Sequence, residues 1–353
     1  MNGKRRWSWL ALLALLTAAI AIAAAGCGGG DEGDTSGAAS STPSETTGGE
    51  PISVGLVTDI GGLNDRGFNS LANQGLENAK SQLGVQGDVL ESKSDADYIP
   101  NLSEFGQKGS NLVVSVGFLM TDATAQAAKA FPDSNFAIVD SAFDPAIPNA
   151  QGLLFKEQEA GCLVGVVGAL TSKTGTITWV GGQKIPPVDR FIAGYEFCAK
   201  DANPDIKVSG SYSDDFVDQA KCKEIALDQI SKGSDVVFQV AGGCGLGALT
   251  AAKQAKIWGI GVDADQLYLG SHMLTSALKR VDNAVIDITK LAEQGKLKSQ
   301  RDYLYSLKNN GVGLGSVNKK VKKSFVAKTN AIGKRIGAGK IKVRAIIKFK
   351  AVN

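Results

Sequence analysis

The sequence predicts an α/β fold of two parallel-sheet lobes, on three observations. Short apolar runs of strand length alternate with segments of helical periodicity through most of the chain. Those runs fall into two consecutive series, one for each sheet. The part able to fold, from Ile52 onward, is about 300 residues long, which exceeds a single small core and suits two lobes.

Taken in order, residues 1–26 are expected to be a secretory signal. Lys4, Arg5 and Arg6 precede an apolar stretch from Trp7, which ends in the small residues of "AAGC". Small residues directly before Cys27 resemble a bacterial lipobox, although Ala24 stands where Leu is usual. Cys27 is therefore expected to carry lipid and to begin the mature chain. The alternative is a retained N-terminal anchor, because the apolar stretch approaches the length of a membrane span. Either holds the protein on the extracytoplasmic face of the cell membrane. Residues 27–51 contain almost no large apolar side chains and cannot offset their ordering entropy, so a flexible tether is expected.

The first strand series is "ISVGLVTD", "GDVLES", "NLVVSVGF" and "FAIVDSA", each followed by a helical segment. "CLVGVVGALTSKTG", from Cys162, reads as a buried helix ended by Gly175. The second series is "GTITWVGG", "IKVSGSY", "DVVFQVAG" and "IWGIGVD". Ligands of parallel sheets lie beyond the carboxyl ends of the strands, so the loops after Thr58, Phe118, Gly181, Gly210, Val240 and Val262 are the candidate site. The first of them, "DIGGLNDRGFN", offers Asp59 and Phe68. For Asp59 the competing role is a helix N-cap, and for Phe68 a core position. The glycines after Val240 do not have the dinucleotide-binding spacing, and a tight turn explains them equally well.

Composition narrows the function. The formal net charge is +3, and no basic stripe interleaved with aromatics appears, so nucleic acid is not an expected partner. The cluster "NKKVKKS" reads as the solvated side of a helix whose apolar side holds Val317, Val321, Phe325 and Ile332. His272 is the only histidine and no nucleophile-elbow motif accompanies it, which disfavours a hydrolase. The cysteine spacings match no zinc pattern, and no metal or other cofactor is expected. Beyond Cys27, Cys162, Cys198, Cys222 and Cys244 make an even set that favours disulfides in an exported chain, with three pairings possible. Four buried free thiols are the alternative.

Several segments together resemble the basic membrane protein family of substrate-binding lipoproteins, the purine-nucleoside receptors that serve ABC transporters. "LVTDIGGLNDRGFN" is similar to the family's TD-x-G-x-x-x-D-x-x-F signature, "GLLFKEQEAGCLVG" to its LLFKEEEGSFLAG element, and "VGGQKIPPVDRFIAGYE" to GGxxIPxVxxFxAGF. "DVVFQVAGGCGLGAL", "GIGVDADQ" and "TSALKRVDNAV" follow in the family's order, and the likeness runs from about Ile52 to about Val343. It implies a type I periplasmic-binding-protein fold with three crossovers between lobes. The lobes expected are about 52–156 plus 266–310, and about 157–265 plus the C-terminal part. It also implies a monomer that serves an ABC permease and binds a purine nucleoside in the cleft without chemistry.

Residue by residue, the resemblance implies ligand contacts by Asp59, Phe68, Tyr212, Gly242, Asp263 and Lys279. Tyr212 matches the second-lobe stacking aromatic, with Phe216 as its alternative, because "GSYSDDFVDQAKCKE" is longer than the family's GS(F/W)xDPAKGKE and lacks the proline. With the topology the resemblance implies, Cys162–Cys244 and Cys198–Cys222 are the expected disulfides. The chemistry suits a nucleoside. Two aromatics can sandwich a flat base, and a carboxylate such as Asp263 can accept from two ribose hydroxyls. Lys279 can donate to those hydroxyls and offset the charge of Asp263. No Arg and Lys gather for a phosphate. The competing readings are the same fold with a sugar or autoinducer, and an exported nucleoside-processing enzyme using Asp59 and Asp263 as acid and base.

Overall fold

The computed structural model describes residues 50–346. The expected signal, Cys27 and nearly all of the tether lie outside the described residues. The elements are β1 (Ser53–Thr58), α1 (Phe68–Leu83), β2 (Gln86–Leu90), α2 (Tyr98–Gln107), β3 (Leu112–Val116), α3 (Thr121–Ala130), β4 (Asn135–Val139) and β5 (Ala150–Phe155). There follow α4 (Glu157–Thr171), β6 (Thr176–Gly181), α5 (Pro186–Ala202), β7 (Lys207–Tyr212), α6 (Gln219–Ser231), β8 (Val236–Val240), α7 (Gly245–Gln254) and β9 (Trp258–Asp263). The chain ends with β10 (Met273–Lys279), α8 (Val281–Glu293), β11 (Tyr303–Tyr305), β12 (Val312–Leu314) and α9 (Lys323–Gly337).

Two six-stranded sheets result, ordered β11-β5-β4-β3-β1-β2 and β12-β10-β9-β8-β6-β7. Every pairing is parallel except β12 on β10. Central strands such as β3 and β8 are buried at every position, which is why they read as unbroken apolar runs rather than alternating ones. The chain passes between lobes after β5, after β10 and after β11. The first lobe was expected to resume near residue 266, but β10 pairs with β9 in the second sheet, so the crossing comes after Lys279. The β9–β10 connection contains no α-helix, and that concealed a further parallel strand.

Both disulfides lie in the second lobe, and the pairing differs from the expected one. Cys162 is bonded to Cys198, with Cα atoms 4.9 Å apart, and Cys222 to Cys244, at 5.6 Å. Topology gives the reason. The chain steps from β6 outward to β7, then back across β6 to β8. Right-handed crossovers taken in opposite directions lie on opposite faces of a sheet, so α5 with Cys198 and α6 with Cys222 are separated by it. Cys198 instead meets α4, whose backbone touches that of α5. A Cβ at Gly161 would lie 2.1 Å from the Phe191 carbonyl oxygen, and one at Gly194 2.0 Å from that of Gln158.

Peptide mapping of the unreduced protein is expected to return these two linkages. The bonded residues are 36 and 22 positions apart. Replacing either pair by Ala is expected to cost about 3–4 kcal/mol by the chain-entropy relation, measured by denaturant unfolding.

Candidate functional site

The carboxyl ends of both sheets border one cleft, and the strand order reverses there in each lobe, at β1 beside β3 and at β6 beside β8. Directly after β1, Asp59 is 7 % exposed. Its Oδ1 accepts from the Ile60 N–H at 2.7 Å and from the Tyr98 hydroxyl. Burial outweighs both bonds and raises its pKa to about 6. Gly117, just past β3, makes room for this carboxylate. A Cβ there would come within 2.5 Å of Asp59 Oδ2, and its φ of +127° suits only glycine.

Asp59 does not cap α1. The N-cap position is Gly67, and the amides there and in the first turn are satisfied by Asp65, two residues earlier, which accepts from Gly67, Asn69 and Ser70 at 3.0, 2.7 and 3.1 Å. These bonds fix the first turn of α1, which carries Phe68 and Asn69 into the cleft. Asn69 Nδ2 donates to the Asp59 and Ile60 carbonyls, both at 3.3 Å, and its buried Oδ1 has no partner among the described residues.

The second lobe contributes an apolar wall of Ile185, Pro187, Val188 and Phe191 from the start of α5. Phe216, between β7 and α6, lies over the end of β6, where a Cβ on Gly182 would meet its ring at 2.2 Å. Gly242, φ +53°, follows β8 beside the Phe216 carbonyl. Asp263 closes β9 with φ +62° and is 7 % exposed. Its carboxylate takes no hydrogen bond from any described residue. Burial raises its pKa to about 7; Lys279 opposes this, and the nearby carboxylates Asp140, Asp65 and Glu157 add to it.

Lys279 ends β10 and is 1 % exposed. Its Nζ lies 2.5 Å from Asp140 Oδ1 and 3.1 Å from Glu157 Oε1. Asp140 directly follows β4, so this ion pair joins the lobes. Glu157 is held on its other side by Arg190, Nε at 2.6 Å and Nη2 at 3.3 Å. Burial works against the charge of Lys279, but Asp140, Glu157 and Asp263 around it hold its pKa above the usual value. The Phe155, Phe68 and Phe191 rings stand 4.9, 5.1 and 5.9 Å from Nζ. Burial raises the pKa of Asp140 to about 6 in spite of Lys279.

The cleft is closed at its edge. Gln266, beyond β9, donates from Nε2 to the Arg66 carbonyl of the first lobe at 3.0 Å. Its Oε1 accepts from Gln239 and from the Val262 amide at 3.0 and 3.3 Å. The space between the lining atoms, counting the mouth open to solvent, is about 630 Å³. Aromatic rings from both lobes and carboxylates at separate places make a site for a flat ring that also carries hydrogen-bond donors.

Asp59, Phe68, Gly242, Asp263 and Lys279 line this one cavity. Tyr212 does not. Its hydroxyl donates to Asp189 at 2.6 Å and its ring sits edge-on to Trp179, with centroids 5.0 Å apart. Phe216 occupies the cleft instead. Asn69, Asp140 and the α5 wall were not singled out from the sequence. Asp140 had a signal, since it directly follows the apolar run "FAIV" at a strand end, where ligand loops gather. Asn69 had none apart from its place beside Phe68.

Two lobes closing on a cleft at the switch points of parallel sheets give the fold of the periplasmic binding proteins. Residues 52–346 match the family model described as ABC transporter substrate-binding protein PnrA-like, and the chain belongs to that family. It is similar to the ABC transporter nucleoside-binding protein BmpA of Lactococcus lactis, 36% identical over 333 residues that cover 88% of this chain and 91% of the relative. A Pyrococcus horikoshii protein named an uncharacterized lipoprotein is 35% identical over 280 residues, covering 75% of this chain and 69% of its own. The crystal structure of an Aeropyrum pernix ABC transporter solute-binding protein superposes with a TM-score of 0.77 at 26% identity, over 84% of this chain and 94% of that one. The protein is thus an ABC transporter solute-binding protein and not an enzyme. Among the described residues no helix is long and apolar enough to cross a membrane.

Proposed function

We propose that the protein binds a purine nucleoside between its lobes and passes it to an ABC permease, while held on the outer face of the membrane by lipid on Cys27. One observation carries this reading. Asp263 presents a buried carboxylate without a hydrogen bond in a cavity that Phe68 and Phe216 enter from opposite lobes. A purine between two rings gains about 0.5–1.5 kcal/mol from each beyond area burial, and a ribose supplies the two hydroxyls that Asp263 lacks. The nucleoside-binding name of the Lactococcus lactis relative supports the same reading. Asp59 and Asn69 Oδ1 are placed to accept from the edge of the base. Lys279 is engaged by carboxylates, which favours a neutral nucleoside over a nucleotide.

Calorimetry with inosine, guanosine and adenosine, with the ligand recovered afterwards, tests this. Tight binding of at least one, returned unchanged, is the expected result. Free base among the products, or heat only with sugars, refutes it. Phe216→Ala is expected to weaken binding by about 1–3 kcal/mol, the range for loss of a stacked base. Tyr212→Ala is expected to leave the affinity of the folded protein unchanged, because that ring lies outside the cavity. The opposite ranking would return the stacking role to Tyr212.

A further inference from the structure

Charge is segregated along this chain far more sharply than its near-neutral total suggests. Of 38 Lys and Arg residues, 12 lie in 311–353, a stretch without one Asp or Glu. All 35 acidic residues lie before it, against 26 basic ones. In the fold, the ten basic residues between 319 and 344 are all exposed. None is in an ion pair among the described residues. Some exposed lysines elsewhere are, as in Lys108–Glu104, Lys221–Asp215 and Lys232–Asp228.

Helix α9 gives the segment a direction. Thr329 and Ile336 are buried, with Phe325 and Ile332 half-buried beside them. At about 100° per residue, Lys323 and Lys334 fall on the opposite side, and Lys328 and Arg335 on one flank. Next to the helix, a surface groove is lined by Leu314, Val317, Val321 and Val326, with Lys319 and Lys323 also contributing to it. Cations over shallow apolar surface match the layering of a lipid interface, phosphate outside and hydrocarbon beneath. A segment that served only solubility would not need to exclude every acidic residue from its own sequence.

We infer that this face of the second lobe docks on the anionic headgroups of a phospholipid bilayer. Polybasic surfaces bind such bilayers through the sum of many weak attractions that fade within a Debye length. A lipid chain and a basic patch together anchor far more firmly than either alone. Docking would lay the flank of the second lobe on the membrane and leave the first lobe free to swing.

The test uses the full-length protein purified in detergent and reconstituted with vesicles, either phosphatidylcholine alone or with phosphatidylglycerol added. Amine labelling, read by mass spectrometry, reports each lysine. Labelling of Lys323, Lys328 and Lys334 is expected to fall several-fold only when phosphatidylglycerol is present. It should recover at about 1 M salt, where screening is nearly complete, while Lys80 and Lys108 stay unchanged. Replacing Lys319, Lys323, Lys328 and Lys334 by Gln should leave the labelling of Lys320 and Lys322 the same with either lipid. Equal labelling in both lipids overturns the inference. So does equal protection of Lys80 and Lys108, or protection that needs the permease, which would make the face a protein-docking surface. None of these readouts involves the solute, so failure of the nucleoside reading would leave them untouched.

Discussion

Lys279→Met is expected to destabilise the fold by about 3–5 kcal/mol, the usual cost of removing one partner of a buried ion pair. The methionine fills similar space, so the loss is electrostatic: Asp140 and Glu157 lose the cation within 3.1 Å, and Asp263 loses its nearest opposing charge. Differential scanning should show a fall of roughly 6–15 °C in melting temperature at neutral pH. Without Lys279 the carboxylates can relieve their repulsion only by taking up protons. The deficit should therefore shrink between pH 8 and pH 5. A deficit of the same size at both pH values would mean that packing, not charge, is what Lys279 supplies.

The next largest effect concerns the ligand. Asp263→Ala is expected to weaken nucleoside binding by about 3 kcal/mol or more, since hydrogen bonds to a charged group contribute about 1.5–3 kcal/mol each. Asp265→Ala is expected to change little, because Asp265 holds the amides of Leu267 and Ser316 at 3.2 and 3.0 Å and is not in the cavity. The pH dependence has opposite signs for the empty and the bound protein. Asp59, Asp140 and Asp263, at about 6, 6 and 7, all lie above the ordinary aspartate value of about 3.9. The folded empty protein thus binds more protons than the unfolded chain between about pH 4 and 7, and its stability rises as pH falls through that window. Hydroxyls donated to Asp263 favour its ionised form, so affinity should fall as pH drops below about 7, by up to about tenfold per unit. Asp263→Asn should remove that slope between pH 8 and 6.5 in calorimetric titrations. An unaltered slope would assign the proton to another group.

Much of this architecture could be read from the residues because parallel strands buried on both faces leave unbroken apolar runs. β1, β3, β4, β6, β8 and β9 announced themselves in this way, and with them the strand ends that carry Asp59, Gly242 and Asp263. What stayed hidden depends on relations between elements rather than on any one of them. Cys198 and Cys222 are separated by a sheet because of strand order, which spacing does not encode. Phe216 replaces Tyr212 because extra residues after β7 move the aromatic that reaches the cleft. The ion pair of Asp140 with Lys279 joins positions 139 residues apart, and neither position alone shows that it will be neutralised by the other.

The three crossings between lobes also govern how the chain matures. The first lobe has five of its strands within residues 53–155, yet α8, which covers α1, is made some 125 residues later, and its sixth strand, β11, some 150 residues later. The second lobe waits in turn for β12. Neither lobe can complete its core from an unbroken stretch of polypeptide: both sheets finish only when residues 303–314 arrive, and the second lobe also waits for α9, whose Ile336 joins the buried cluster of Cys162, Leu163, Val166 and Cys198. On the export route proposed above, the emerging chain would remain unfinished until translocation is almost done. A nascent segment that ends at residue 340 has every strand and α9 in place, whereas one that stops at residue 280 lacks an edge of each sheet. Truncations at those two points should consequently separate a secreted, protease-resistant product from a degraded one.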